Sequence, residues 1–189
     1  MKKIALLLLL AASFSMPAFA ADGAEPIKLI SYNLRTSHGK DGDNVWMKRR
    51  HATPEMIRRE APDVFGVQEG LIDQLHYIDA ECPQYARVGV GRDDGAEKGE
   101  FMAVYYLRDR FELLDSGTFW LSETPDTVSK GWDAALNRIC TWAKMKDRRT
   151  GRVFYFFNTH FDHVGREARL RSAELLAGRI RAVAGDKYP

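Results

Sequence analysis

The 189-residue sequence predicts one layered α/β (α+β) domain. Three observations carry this. Short apolar runs with strand character alternate with longer stretches of helical composition. Hydrophobic residues make up 45% of the chain and aromatics 11%, enough to bury a core. No internal repeat, linker or low-complexity tract divides it.

The elements follow in order. Lys2 and Lys3 precede an apolar run from Ile4 to Met16, and Pro17-Ala18-Phe19-Ala20 supplies an A-x-A cleavage site. Residues 1–20 therefore read as a signal peptide, and 21–189 as the domain. The run is about thirteen residues, short of the roughly 20 that span a bilayer. No membrane span is expected, and the mature protein is placed in the periplasm or outside the cell.

Ile27 to Tyr32 reads as a strand ending at Asn33. Trp46 to Glu60 reads as helix, broken so that Thr53 caps a second helix opened by Pro54. Val64 to Val67 is a strand ending at Gln68-Glu69, and Leu71 to Ala80 is a helix. Met102 to Leu107 and Phe111 to Leu114 read as a hairpin around Arg108-Asp109-Arg110. Ile139 to Met145 is a strand, with Thr150-Gly151 in the turn after it. Val153 to Phe157 is almost continuously apolar, as in a buried strand. Arg166 to Val183 is a helix, with Leu170, Ala173, Leu176 or Ala177, and Ile180 on one face. Gly91 to Gly99 and Ser122 to Gly131 are loops.

Composition excludes several classes. Two cysteines cannot build a disulfide-dense scaffold or a four-cysteine zinc site. Export would permit a Cys82–Cys140 disulfide, although two unpaired thiols are the preferred reading. The net charge of +2 comes from Lys2 and Lys3, so the mature chain balances 26 basic against 26 acidic residues. Such a balance does not indicate a protein that grips nucleic acid by bulk charge. Gly-x-Gly-x-x-Gly, Walker and Gly-x-Ser-x-Gly motifs are absent from the sequence.

Three strand candidates end in residues able to do chemistry: Asn33, then Gln68-Glu69, then Asn158-Thr159-His160-Phe161-Asp162-His163. Sheets hold such ends rigid while the following loop exposes the side chain. Glu69 and Asn33 carry hard oxygen donors suited to Mg²⁺. Alone, Glu69 would read as an acid at the start of the next helix. His160-x-x-His163 could be a zinc pair, but neither HExxH nor a cysteine partner accompanies it. A histidine beside a carboxylate can also act as an acid or donate to a phosphoryl oxygen. Asp41-Gly42-Asp43-Asn44 lacks EF-hand spacing and reads as a turn.

These strand ends, with Ser31-Tyr32-Asn33-Leu34-Arg35, Gly91-Arg92-Asp93-Asp94-Gly95, Gly99-Glu100-Phe101, the run Ser116 to Glu123 and Gly131-Trp132-Asp133-Ala134-Ala135, resemble the exported bacterial branch of the endonuclease/exonuclease/phosphatase superfamily. The resemblance covers Lys28 to about Val183. It implies a four-layer α/β sandwich of the DNase-I-like type and Mg²⁺-dependent phosphoester hydrolysis, with Mn²⁺ as a substitute. It implies Glu69 as metal ligand, Asn33 placing metal or phosphate, and His160 donating to a phosphoryl oxygen. Asp162 and His163 would orient that loop, with His163 near the phosphate. Arg92, Arg138 and Arg169 would be phosphate contacts. The substrate class stays open, with nucleic acid not indicated by charge, and a monomer is expected.

The superfamily also carries Gly-Asp-x-Asn and Ser-Asp-His motifs, which position water and supply the general base. Neither occurs in these 189 residues. A sandwich incomplete at its C-terminus is therefore expected, one that folds poorly alone and lacks a base contributing about 10²–10⁴-fold. The rival expectation is an inactive remnant or a phosphate-binding module.

Overall fold

The computed structural model describes residues 26–185, so the signal-peptide reading of 1–20 lies outside the described residues. Among the described residues, seven strands form two sheets, and α-helices cover their outer faces. The first sheet has the order β1 (Leu29–Asn33), β2 (Val64–Gln68), β4 (Val104–Leu107), β3 (Tyr85–Val88). β1 and β2 run parallel, joined through α1 (Trp46–Arg49) and α2 (Ala52–Glu60), since parallel neighbours need a crossover. β4 is antiparallel to both β2 and β3. The second sheet is an antiparallel meander of β5 (Phe111–Trp120), β6 (Ile139–Asp147) and β7 (Val153–Thr159). α3 (Ile72–Glu81) and α4 (Arg166–Ala184) complete the fold.

Side-chain alternation builds the layers. On β2, Phe65 and Val67 face outward onto Ile57 of α2 and Leu75 and Ile78 of α3. Val64 faces inward and joins Val104, Phe111, Ala143 and Met145 between the sheets. On the far side, Phe119, Leu121 and Cys140 pack against Leu175 and Leu176 of α4. Helices, sheet, sheet and helix make four layers, the expected sandwich. β2 is buried along its whole length, which is why it reads as an unbroken apolar run.

Two polar ties cross the gap between the sheets. Asn158 at the end of β7 donates Nδ2 to the carbonyls of Val67 (2.8 Å) and Ala103 (2.9 Å) and accepts from Gln68 Nε2 (2.7 Å). Gly66 makes room for it: a Cβ there would lie 2.7 Å from Asn158 Cγ. Towards the opposite end, buried Arg110 pairs with Asp63 (2.6 Å) and Asp147 (3.2 Å).

Several expected elements differ. The 102–107 and 111–114 runs are not a hairpin. β4 pairs with β2 and β3 while β5 extends to Trp120 and pairs with β6, because Arg110 turns the chain from one sheet into the other. α2 starts two residues before Pro54, with His51 rather than Thr53 at its cap. Proline is tolerated at the third position because its missing N–H would have no intrahelical partner. On α4 the buried residues are Ala168, Ser172 and Ala184; of the expected face, Leu176 and Ile180 are half-buried while Leu170 is 61% exposed and Ala173 faces solvent. β7 is half-buried rather than buried, since β6 is its one strand neighbour among the described residues. β3 lies where the sequence suggested no strand. Among the described residues, no helix is long and apolar enough to cross a membrane.

Candidate active site

The parallel pair β1 and β2 sets one wall of the site. Asn33 ends β1 opposite Gln68, the last residue of β2. Glu69 and Arg35 follow these ends at φ +59° and +54°. Left-handed backbone is strained for such residues and costs on the order of 1–3 kcal/mol each. It turns both side chains out of the sheet and into one space. Asn33 donates Nδ2 to Glu69 Oε1 (2.9 Å), while its Oδ1 accepts the backbone N–H of Arg35 (2.8 Å). The amide is thus oriented by the chain, and it presents nitrogen, not oxygen, to Glu69. Arg35 approaches Glu69 Oε2 at 3.8 Å and is held from behind by Asp41 at 2.9 and 3.0 Å. That contact explains the 41–44 segment, a 3-10 turn whose acid aims an arginine.

The second sheet supplies the facing wall. His160 follows β7 directly, and Arg138 directly precedes β6; Cys140 pairs with Thr159, which brings them side by side. Arg138 is 4% exposed and makes three contacts as a fork. Its Nε donates to Asp162 Oδ2 (3.1 Å), Nη1 meets His160 Nδ1 (3.2 Å) and Nη2 meets His163 Nδ1 (3.0 Å). Asp162 also accepts the N–H groups of Val164 (2.9 Å) and Gly165 (2.8 Å), closing the loop before α4.

A cavity of about 350 Å³ lies away from these residues, along Val88–Val90 and Ser116–Thr118. The one that concerns the strand ends is about 330 Å³ and is lined by Arg35, Glu69, Glu100, Leu136, Arg138, His160 and His163. Four of these were singled out in sequence: Glu69 as metal ligand, His160 as a catalytic donor, and His163 and Arg138 as phosphate contacts. The Arg138 fork is engaged by protein acceptors. Asn33 stands behind Glu69. Asp162 lies beneath, almost fully buried. Arg92 and Arg169 are not in its lining. Arg92 is buried and paired with Glu100, and Arg169 donates to the Asp162 carbonyl (3.0 Å). Sequence reasoning missed Arg35 and Glu100 as site residues. Phe101 bridges both Gly70 and Gly91, a non-local pairing that carries Glu100 beside Glu69.

Charge in the cavity follows from these contacts. Partial burial alone would raise the Glu69 pKa, but Asn33, the Thr36 backbone, His160 and Arg35 outweigh it and hold the carboxyl below its ordinary value. Burial raises Glu100 despite Arg92, with Glu69 adding to the rise. Burial and then Arg138 lower His160, which Glu69 only partly offsets. Burial would raise Asp162 too, yet the Gly165, Val164 and Ala135 N–H groups and Arg138 hold it far below the usual carboxylate range.

Among the described residues, no three His, Cys, Asp or Glu side chains gather to hold a metal alone. The donor chemistry nevertheless fits a hard cation. Glu69 is an ionised carboxylate on the cavity wall, and Mg²⁺ characteristically uses one or two carboxylates with waters and substrate oxygens. A zinc pair of His160 and His163 fits poorly, because Arg138 meets both Nδ1 atoms and no third His, Cys, Asp or Glu joins the pair among the described residues.

Comparison with solved structures places this geometry. A Bacteroides vulgatus protein of the endonuclease/exonuclease/phosphatase family superposes with a TM-score of 0.82 at 43% identity, covering 85% of this chain. The chain has the endonuclease/exonuclease/phosphatase fold. A mannosyl-6-phosphatase of Bacteroides thetaiotaomicron is similar to the same degree, with a TM-score of 0.83 and 43% identity over 86% of this chain. An uncharacterised protein of Acanthamoeba polyphaga mimivirus is 26% identical over 85% of the chain and 29% of its own length. No family model matches. This chain spans 62% and 61% of the two Bacteroides proteins.

Proposed function

We propose that the chain belongs to an exported, metal-dependent phosphoester hydrolase. The observation that carries this reading is one cavity with an ionised Glu69 on one sheet and His160 on the other. Phosphoryl transfer is mainly positioning and neutralisation of spreading charge. Glu69 would hold Mg²⁺ or Mn²⁺, kept in place by Asn33. Such a cation polarises a phosphoryl oxygen and lowers the pKa of bound water. His160 would donate a hydrogen bond to a phosphoryl oxygen, and exposed Arg35 would offer a charge-assisted donor from the rim. Arg92 and Arg169 would act through Glu100 and the Asp162 loop rather than on phosphate. The N-terminal segment supports export.

The 43% identical mannosyl-6-phosphatase makes sugar phosphomonoesters the first substrates to test. The test is phosphate release from a panel of phosphomonoesters and phosphodiesters, with Mg²⁺ and then with chelator. Release that needs metal and disappears in Glu69→Gln is the expected result. Metal-independent release would overturn the reading. A second reading is phosphate binding without turnover, which Arg35, His160 and His163 around one cavity would also support. Saturable binding of inorganic phosphate with no release from any ester would select it.

A further inference from the structure

We propose that Arg138 is a positioning residue that fixes His160 and His163 in the same tautomer, so that both present Nε2–H towards a bound phosphoryl group. Arginine has five N–H donors and no acceptor. An atom that takes a hydrogen bond from it must carry a free lone pair. Arg138 Nη1 lies 3.2 Å from His160 Nδ1, and Nη2 lies 3.0 Å from His163 Nδ1. Both Nδ1 atoms are therefore unprotonated, and each ring carries its hydrogen on Nε2.

The fork cannot swing away. Its Nε is tied to Asp162 at 3.1 Å, and Asp162 is tied in turn to two backbone N–H groups. Arg138 is 4% exposed, so its planar guanidinium is held by its surroundings as well. Groups facing the histidines are Arg138, Glu69 and Arg92, with Asp162 behind the fork.

Two consequences separate this from a phosphate-binding arginine. Arg138 already directs one N–H from each nitrogen at protein acceptors, so its role is to aim the rings. His163, three residues after His160 and also lining the cavity, becomes a second donor of the same kind. Lysine could not substitute, because one ammonium cannot keep the planar spacing that reaches two rings and a carboxylate.

The deciding measurement is long-range ¹H–¹⁵N correlation of the imidazoles in the full chain labelled with ¹⁵N-histidine, at neutral pH. The expected spectrum shows pyridine-type Nδ1 and pyrrole-type Nε2 for both rings. Nδ1-protonated or doubly protonated rings in the wild type would overturn the proposal without any variant. Arg138→Gln should lose the single tautomer at one or both rings. Arg138→Lys, which keeps the charge, should fold and fail in the same way; folded variants with unchanged tautomers would also overturn it.

Only the consequence for phosphate rests on the phosphoester reading. Inorganic phosphate should perturb both Nε2 signals, and Arg138→Lys should bind it about tenfold more weakly, the equivalent of about 1.4 kcal/mol. Expected tautomers with no response to phosphate would uphold the positioning role and count against the phosphoester reading.

Discussion

Glu69 stands in left-handed backbone one residue beyond a fully buried strand, with Asn33 bound to one oxygen and Arg35 near the other. That arrangement holds an ionised carboxylate in a fixed direction. Glu69→Gln keeps the shape and removes the charge. Its affinity for Mn²⁺, measured by titration calorimetry, should fall by more than about tenfold with little change in melting temperature. An unchanged affinity would remove Glu69 as the ligand. Titration at His160 and Asp162 gives a second test. Both have folded pKa values below their ordinary 6.5 and 3.8, so the unfolded chain binds more protons. Stability from His160 is complete above pH 6.5 and lost as pH falls towards its depressed folded value. That from Asp162 is present above 3.8 and lost further into acid. Urea midpoints should therefore rise with pH over the range just below 6.5, with a slope of at most about 1.4 kcal/mol per pH unit from one proton. His160→Gln should flatten that segment. Glu100, raised by burial, contributes the opposite slope, so the comparison decides: a His160→Gln profile that rises as steeply as the wild type would contradict the assigned direction. Asn33, Glu69 and His160 were legible in the sequence because polar residues ending apolar strands stand out. Arg35 and Glu100 were not, because their place in the site depends on a left-handed turn and on a bridge between distant segments.

At the scale of elements, the sequence shows which segments are regular better than it shows what they touch. β2, β6 and β7 were visible as apolar runs. The β4–β5 connection was misread because a charged tripeptide between strands looks alike whether it closes a hairpin or passes between sheets. The difference lies in Asp63 and Asp147, far away in sequence, which receive Arg110. The buried face of α4 was only half legible: Leu176 packs on the core as expected, but small residues, Ala168 and Ser172, make the close contact at the start of the helix while Leu170 points outward. Asn158 looked like a site residue but ties β7 to β2 and to the Ala103 carbonyl. Asn158→Ala removes three hydrogen bonds, although the Ala103 carbonyl keeps the Val67 N–H and Gln68 Nε2 keeps Ser31 and the Gly66 carbonyl. The expected loss is about 3 kcal/mol in denaturant unfolding. Gly66→Ala should also destabilise, since its Cβ would meet the Asn158 amide. In the Asn158→Ala background that clash is gone, so Gly66→Ala should cost less there. Additive losses would show that the two positions do not share one space.

Across the whole molecule, four layers meet so that the ends of β1, β2 and β7 and the start of β6 converge at one rim, which is why residues more than 100 positions apart share a cavity. The same architecture leaves β7 with one strand neighbour among the described residues and its apolar side chains only half covered. A strand edge with no partner among the described residues is a template for pairing with another chain. Tyr155 lies on that strand directly across from Lys144, whose ammonium sits 5.5 Å from the ring centroid. Tyr155→Glu would put a carboxylate opposite that lysine and a charge on the edge strand, while the inter-sheet core, to which β7 contributes Phe154 and Phe156, stays unaltered. Sedimentation velocity on residues 21–189 should show association that grows with concentration, and Tyr155→Glu should shift the distribution towards monomer. A wild-type chain that sediments as a monomer at every concentration would mean that the β7 edge is protected, and that half-burial here is no measure of stickiness.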